Sequence, residues 1–126
     1  MDDLAEKEIL FVYNARSGSV HALMDYAHKM FSPKTYPCSL CGITYGHLGM
    51  KRAWVNYLKT LPYAYRFLYK DHLKDFPKVL QEALLPAVFL RQGEAYVPLL
   101  NASDFAQIDT LDALIETLNA RLNAQK

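Results

Sequence analysis

Hydrophobic and polar positions along the chain fall into blocks with distinct periods. Ile9 to Tyr13 (ILFVY) is an unbroken apolar run, which predicts a strand buried on both faces of a sheet. Asn14 to Ser19 is a polar, glycine-containing turn. Val20, Leu23, Met24, Ala27, Met30 and Phe31 then recur at helical spacing, and Pro33 ends that helix. Thr35 to Tyr45 has extended character, as a strand or an ordered loop, and Gly46 to Gly49 interrupts the pattern. Lys51 to Leu61 predicts a second helix with Trp54, Val55, Leu58 and Leu61 on one face. Tyr63 to Tyr69 predicts a strand of alternating aromatics, and Asp71 to Leu84 a helix that Pro77 is early enough to leave intact or to kink.

The last third carries the sharpest signals. Pro86 to Leu90 is a strand, Arg91 to Glu94 a tight turn with Gly93 where a positive φ is favoured, and Ala95 to Leu99 the returning strand. Pro98 places that strand at an edge or a bulge. Thr110 or Asp109 then caps a final helix with Leu111, Leu114, Ile115, Leu118 and Leu122 facing the core. The alternation of strands and helices gives one α/β domain over residues 1–126.

Composition changes little in this picture but removes several functions. A net charge of +1 leaves no electrostatic footprint for nucleic acid or an acidic membrane surface. No apolar run reaches the roughly 18 residues a membrane helix needs. The N-terminus, MDDLAEKE, is acidic rather than a secretory signal, so the expected location is the cytoplasm. There, a C-x-x-C reads as redox-active or metal-binding rather than structural.

Cys38 and Cys41 are the only cysteines and form that C-x-x-C, in YPCSLCGITYG. As a redox pair they need one thiol partly ionised, and Lys34 and His47 are the nearby positive groups. As metal ligands, Cys38 and Cys41 supply two thiolates, with His47 the nearest nitrogen. A symmetric homodimer would bring four sulfurs together, suiting zinc or an iron–sulfur cluster. As packing residues, two cysteines in an extended segment would face opposite sides. His21 and His28 share one helix face, while His72 stands apart. Arg16, Ser17 and Ser19 lie in the turn after the first strand, where α/β sheets often bind ligands and backbone amides opening a helix could hold an anion; an ordinary helix cap by Ser17 or Ser19 is the simpler reading. Tyr63, Tyr65, Phe67 and Tyr69 read chiefly as core filling, with a partner surface as the other reading.

The order from Leu85 to Leu122 resembles the C-terminal half of thioredoxin-like proteins: a proline opening an apolar strand, a glycine turn, a returning strand and a terminal helix. FVYNA and the helix after it resemble that family's first β-α step. The resemblance implies a thioredoxin-like sheet flanked by helices, with Pro86 as a cis proline facing the active-site cysteines. One departure stands out. The family's dithiol opens the first helix, a place held here by RSGSV, whereas Cys38 and Cys41 lie in what reads as an insertion over 33–62. The YPCxLCxIT stretch also resembles one found in small bacterial proteins, some labelled GTPases. No G-x-x-x-x-G-K-[ST] is present to support nucleotide hydrolysis.

Three readings follow. The first is a thiol-disulfide oxidoreductase or redox-responsive protein without a cofactor, acting on protein thiols or a small thiol through Cys38 and Cys41, with Pro86 supporting. The second is a zinc or iron–sulfur module through Cys38, Cys41 and His47. The third is a non-catalytic thioredoxin-like adaptor.

Overall fold

The computed structural model describes residues 7–16, 39–46 and 49–125. The helix expected over Val20 to Phe31, its Pro33 stop, and Ser17, Ser19, His21, His28, Cys38 and His47 lie outside the described residues.

Strand β1 (Lys7–Val12) is central, and its apolar run is the reason. Ile9, Leu10, Phe11 and Val12 are all fully buried, which only a strand with neighbours on both edges and layers on both faces achieves. Helix α1 (Ser39–Thr44) leads into a two-residue antiparallel pair, β2 (Tyr45–Gly46) and β3 (Gly49–Met50), and then into α2 (Arg52–Lys59). Strand β4 (Ala64–Leu68) pairs parallel with β1. A 3-10 helix (Lys70–Asp75) and a one-turn α3 (Lys78–Gln81) follow, then the hairpin β5 (Ala87–Gln92) and β6 (Ala95–Leu100). The chain closes with α4 (Ala102–Phe105) and α5 (Leu111–Ala124). The main sheet has the order β4-β1-β5-β6, with β5 antiparallel to both β1 and β6. None of the described helices is long and apolar enough to cross a membrane.

The alternation of side chains along β1 divides the core in two. Ile9, Phe11 and Tyr13 join residues of α1, α2 and α5 on one face. Leu10 and Val12 join Leu73, Leu80, Ala87 and Phe89 on the other. Phe11 meets Trp54 of α2 edge-on at 5.3 Å, and Leu114, Leu118 and Leu122 of α5 complete that face. Tyr57 ties the two covering helices together, its hydroxyl donating to Asn119 Oδ1 at 2.7 Å.

The hairpin follows its sequence signals closely. Gly93 has φ 63° and opens a two-residue loop between the Gln92–Ala95 pair, as a type II′ turn requires. β6 forms the sheet edge, where Pro98 costs no ladder bond, and a register shift sits between Val88 and Phe89. The Leu85–Pro86 peptide is cis, as the resemblance implied. Thr110, rather than Asp109, caps α5, its hydroxyl accepting from Ala113 N at 3.1 Å. Asp104 closes the cap of α4 by accepting from Asn101 N. It also receives a two-point contact from Arg121, which holds its carboxyl below the usual carboxylate range.

Two expectations need correction. The Thr35–Tyr45 segment is not extended over Ser39–Thr44, which is helical; only Tyr45 at its end is in a strand. Nor do residues 71–84 form one helix. Pro77 lacks the N–H that would continue the ladder, so the 3-10 helix ends at Asp75 and a separate turn starts at Lys78.

Candidate functional site

Helix α1 holds Cys41, so the reasons for this helix are the reasons for the position of the sulfur. Six residues with glycine and β-branched isoleucine and threonine have little intrinsic preference for helix. Burial supplies it: Leu40, Cys41, Ile43 and Thr44 are 0–3% exposed. Thr44 is the only polar one of these four, and its hydroxyl is satisfied twice. It donates to Leu40 O at 2.7 Å, one turn back, and it lies 3.3 Å from the Tyr13 hydroxyl. With the Thr44 proton used on Leu40, Tyr13 is the donor in that second contact. Lys51 N then donates to Thr44 O at 2.8 Å, fixing the exit of the loop that returns through β2 and β3 to α2.

This packing brings α1 to a particular end of the sheet. Tyr13 and Ala15 follow β1 directly and share a core with Cys41. Tyr13 N donates to Leu68 O at 2.8 Å and Lys70 N to Ala15 O at 2.9 Å, carrying the β1–β4 pairing past both strands. Val12 pairs with Ala87, the residue after buried Pro86. The C-terminal end of β1 and the start of β5 therefore lie at one end of the sheet, and α1 is tied to the residue just past β1 through the Tyr13–Thr44 contact. Tyr13 also packs edge-on against Tyr69 at 5.3 Å and obliquely on Phe67 at 5.9 Å, so the wall beside α1 is aromatic.

Cys41 is fully buried. Cys38 is the one other cysteine of the chain, and it lies outside the described residues, as does His47. The expectation that the two thiols face opposite sides rested on an extended backbone. That premise fails at Cys41, which is helical.

His72, the histidine within the described residues, has a local role. Its Nδ1 accepts from Tyr69 N at 3.2 Å at the start of the 3-10 helix, with its ring edge-on to Tyr69. Arg16 is exposed beyond β1. Among the described residues, no group of three or more His, Cys, Asp or Glu side chains is placed to hold a metal ion. The aromatic stripe divides as core filling predicts: Tyr63 is buried, Phe67 and Tyr69 pack against the core, and Tyr65 remains 37% exposed.

Tyr13 and Thr44, which seat α1, did not stand out in the sequence. The only signal available was the four-residue spacing of Leu40 and Thr44 on one helix face, obscured by the β-branched and aromatic residues around it. Comparisons with protein-family models, with curated proteins and with solved structures return no match.

Proposed function

We propose that this chain is a thioredoxin-like thiol-disulfide oxidoreductase, or a redox-responsive protein using the same sulfurs, acting in the cytoplasm on protein thiols or a small thiol. The observation that supports the reading is Cys41: a cysteine of the C-x-x-C seated in a helix and fully buried in the core. The thioredoxin-like part draws support from the order of elements. A central first strand has a parallel neighbour on one edge and an antiparallel hairpin on the other, the hairpin opens after Pro86, and a terminal amphipathic helix covers one face. In this reading the dithiol belongs to an insertion over 33–62.

In this reading Cys38 is the nucleophile and Cys41 the resolving thiol. The Cys38 thiolate attacks one sulfur of a substrate disulfide, and the other substrate sulfur leaves as a thiolate and takes up a proton. Cys41, losing its proton, then attacks the Cys38 sulfur of the mixed disulfide and releases the second substrate thiol. The substrate gains two electrons and two protons, and the dithiol becomes a disulfide. Burial suits Cys41 to the second step, because its target is a neighbouring sulfur rather than an incoming substrate. Pro86 would support the pair only where the insertion folds back over that end of the sheet. Fold resemblance alone does not establish this chemistry, so the test is direct. Cys38→Ser should abolish reduction of a small aromatic disulfide by the pre-reduced protein while leaving the far-ultraviolet circular dichroism unchanged. Full exchange activity in a folded Cys38→Ser variant would defeat the assignment.

A further inference from the structure

Beyond the dithiol, two clefts meet on the side of the sheet covered by the 3-10 helix and α3. The first, of about 540 Å³, lies past the C-terminal end of β1 and is lined by Asn14, Lys70, Leu73, Lys74, Gln81 and Leu85. Among the described residues, its charged lining residues are both lysines. Asp71 and Asp75 sit on the same 3-10 helix and Glu82 follows α3, yet none of them lines the cleft. The frame that carries the lysines is fixed: Lys70 N donates to Ala15 O, and the Gln81 amide donates to the carbonyls of Lys74 and Phe76. The second cleft, of about 370 Å³, is mainly apolar, with Val79, Ala87, Phe89, Pro98 and Leu100 in its lining.

Ala83 and Leu84 line both clefts. Leu84 is 80% exposed, the most exposed large hydrophobic side chain among the described residues, and Val79 in the second cleft is 49% exposed. Two lysines with no ion-pair partner among the described residues on one side of an exposed leucine, with an apolar trough on the other, are complementary to one kind of molecule. We propose that these joined clefts bind a small anionic amphiphile: a carboxylate or phosphate head between Lys70 and Lys74, and a hydrocarbon tail laid over Leu84 into the trough floored by Phe89 and Leu100. The lysine pair contributes attraction to the head, and the tail covers apolar surface that the fold leaves in water. Neither half needs the cysteines, so the site stands or falls independently of the redox reading.

The test uses the full chain, with octanoate and octyl phosphate as probes below their aggregation concentrations, followed by amide chemical shifts and calorimetry. The expected result is saturable one-to-one binding of at least one probe, with shifts concentrated in residues 70–74, 81–85 and 98–103. Acetate and 1-octanol, each carrying half of the required chemistry, should bind at least about tenfold more weakly. A Lys70→Gln, Lys74→Gln double variant should weaken the anionic probe by about five- to tenfold, a modest loss because both ammonium groups are exposed. Leu84→Ser should weaken it while leaving acetate unaffected. Binding of neither probe, shifts scattered over the surface, or an affinity unchanged in the double lysine variant would overturn the proposal.

Discussion

Trp54 shows what a single side chain contributes to this fold. It is fully buried, edge-on to Phe11 and stacked on Tyr57 at 5.7 Å, so it joins α2 to the central strand. Among the described residues its Nε1 has no hydrogen-bond partner. A buried donor without a partner offsets part of what the ring gains by leaving water. Truncation and isosteric replacement should therefore differ sharply. Trp54→Ala should cost about 3–5 kcal/mol, as a large cavity opens between α2 and the sheet. Trp54→Phe should cost less than about 1.5 kcal/mol, since the smaller ring keeps the contact with Phe11 and removes the orphan donor. Urea denaturation of the two variants measures the difference. Equal losses would mean that the indole nitrogen is satisfied in solution. The sequence reading placed Trp54 on the sheet-facing side of its helix correctly, because period alone decides which face is apolar. Whether the indole N–H finds an acceptor depends on residues distant in the chain, and no local pattern reports that.

Between elements, the hydroxyl of Tyr57 is the polar link from α2 to α5. Partial burial pushes its pKa up to about 12, from an ordinary value of 10.0. The folded state holds this proton more tightly than the unfolded chain does. The contribution is therefore complete below about pH 10 and is lost as pH rises toward 12, because the unfolded tyrosine ionises first. Tyr57→Phe should lower stability at pH 7 by about 0.5–1.5 kcal/mol. It should also flatten the fall in stability between pH 10 and 12 relative to the parent protein. Chemical denaturation at a series of pH values tests both, and an unchanged alkaline slope would place the titrating group elsewhere. The elements themselves were unevenly legible. β1, the hairpin and α5 were readable because local signals agree with the tertiary outcome: an unbroken apolar run, glycine in a two-residue turn, a threonine cap. Helix α1 was not, since its residues prefer extended backbone and only burial of Leu40, Cys41 and Ile43 overrides them. The 71–84 segment misled for the opposite reason. Leu73, Phe76, Leu80 and Ala83 keep nearly helical spacing and all pack on one core, but Pro77 forces them there by two short turns.

For the whole molecule, the placement of α1 decides what the cysteine pair can do. The C-x-x-C was legible as chemistry because thiols at that spacing have few uses, but the position of Cys41 relative to the sheet was not, because burial rather than local preference makes the helix that carries it. Cys41 lies within the larger of the two cores, so its oxidation state is coupled to the stability of the entire domain rather than to a surface loop. Protein purified without chelator, oxidant or reductant should give a native mass spectrum of a chain lighter by two hydrogens than the fully reduced sequence, and a mild reductant should restore them. The same titration, followed by thermal unfolding, should move the melting temperature as the mass changes, because a ligand, proton or electron pair that distinguishes folded from unfolded chain must shift their balance. A Cys41→Ser variant should instead accumulate a mixed disulfide on Cys38 when mixed with a disulfide substrate, since the resolving step is lost while the first attack remains. Extra mass matching zinc or an iron–sulfur cluster, at a fixed ratio per chain or per dimer, would replace the redox reading with the metal-binding one. A chain with both thiols free, and with stability and biological activity unaffected by replacing both with serine, would leave a thioredoxin-like adaptor. The mass and the melting point together separate these outcomes, because only a disulfide changes both reversibly with reductant and without added metal.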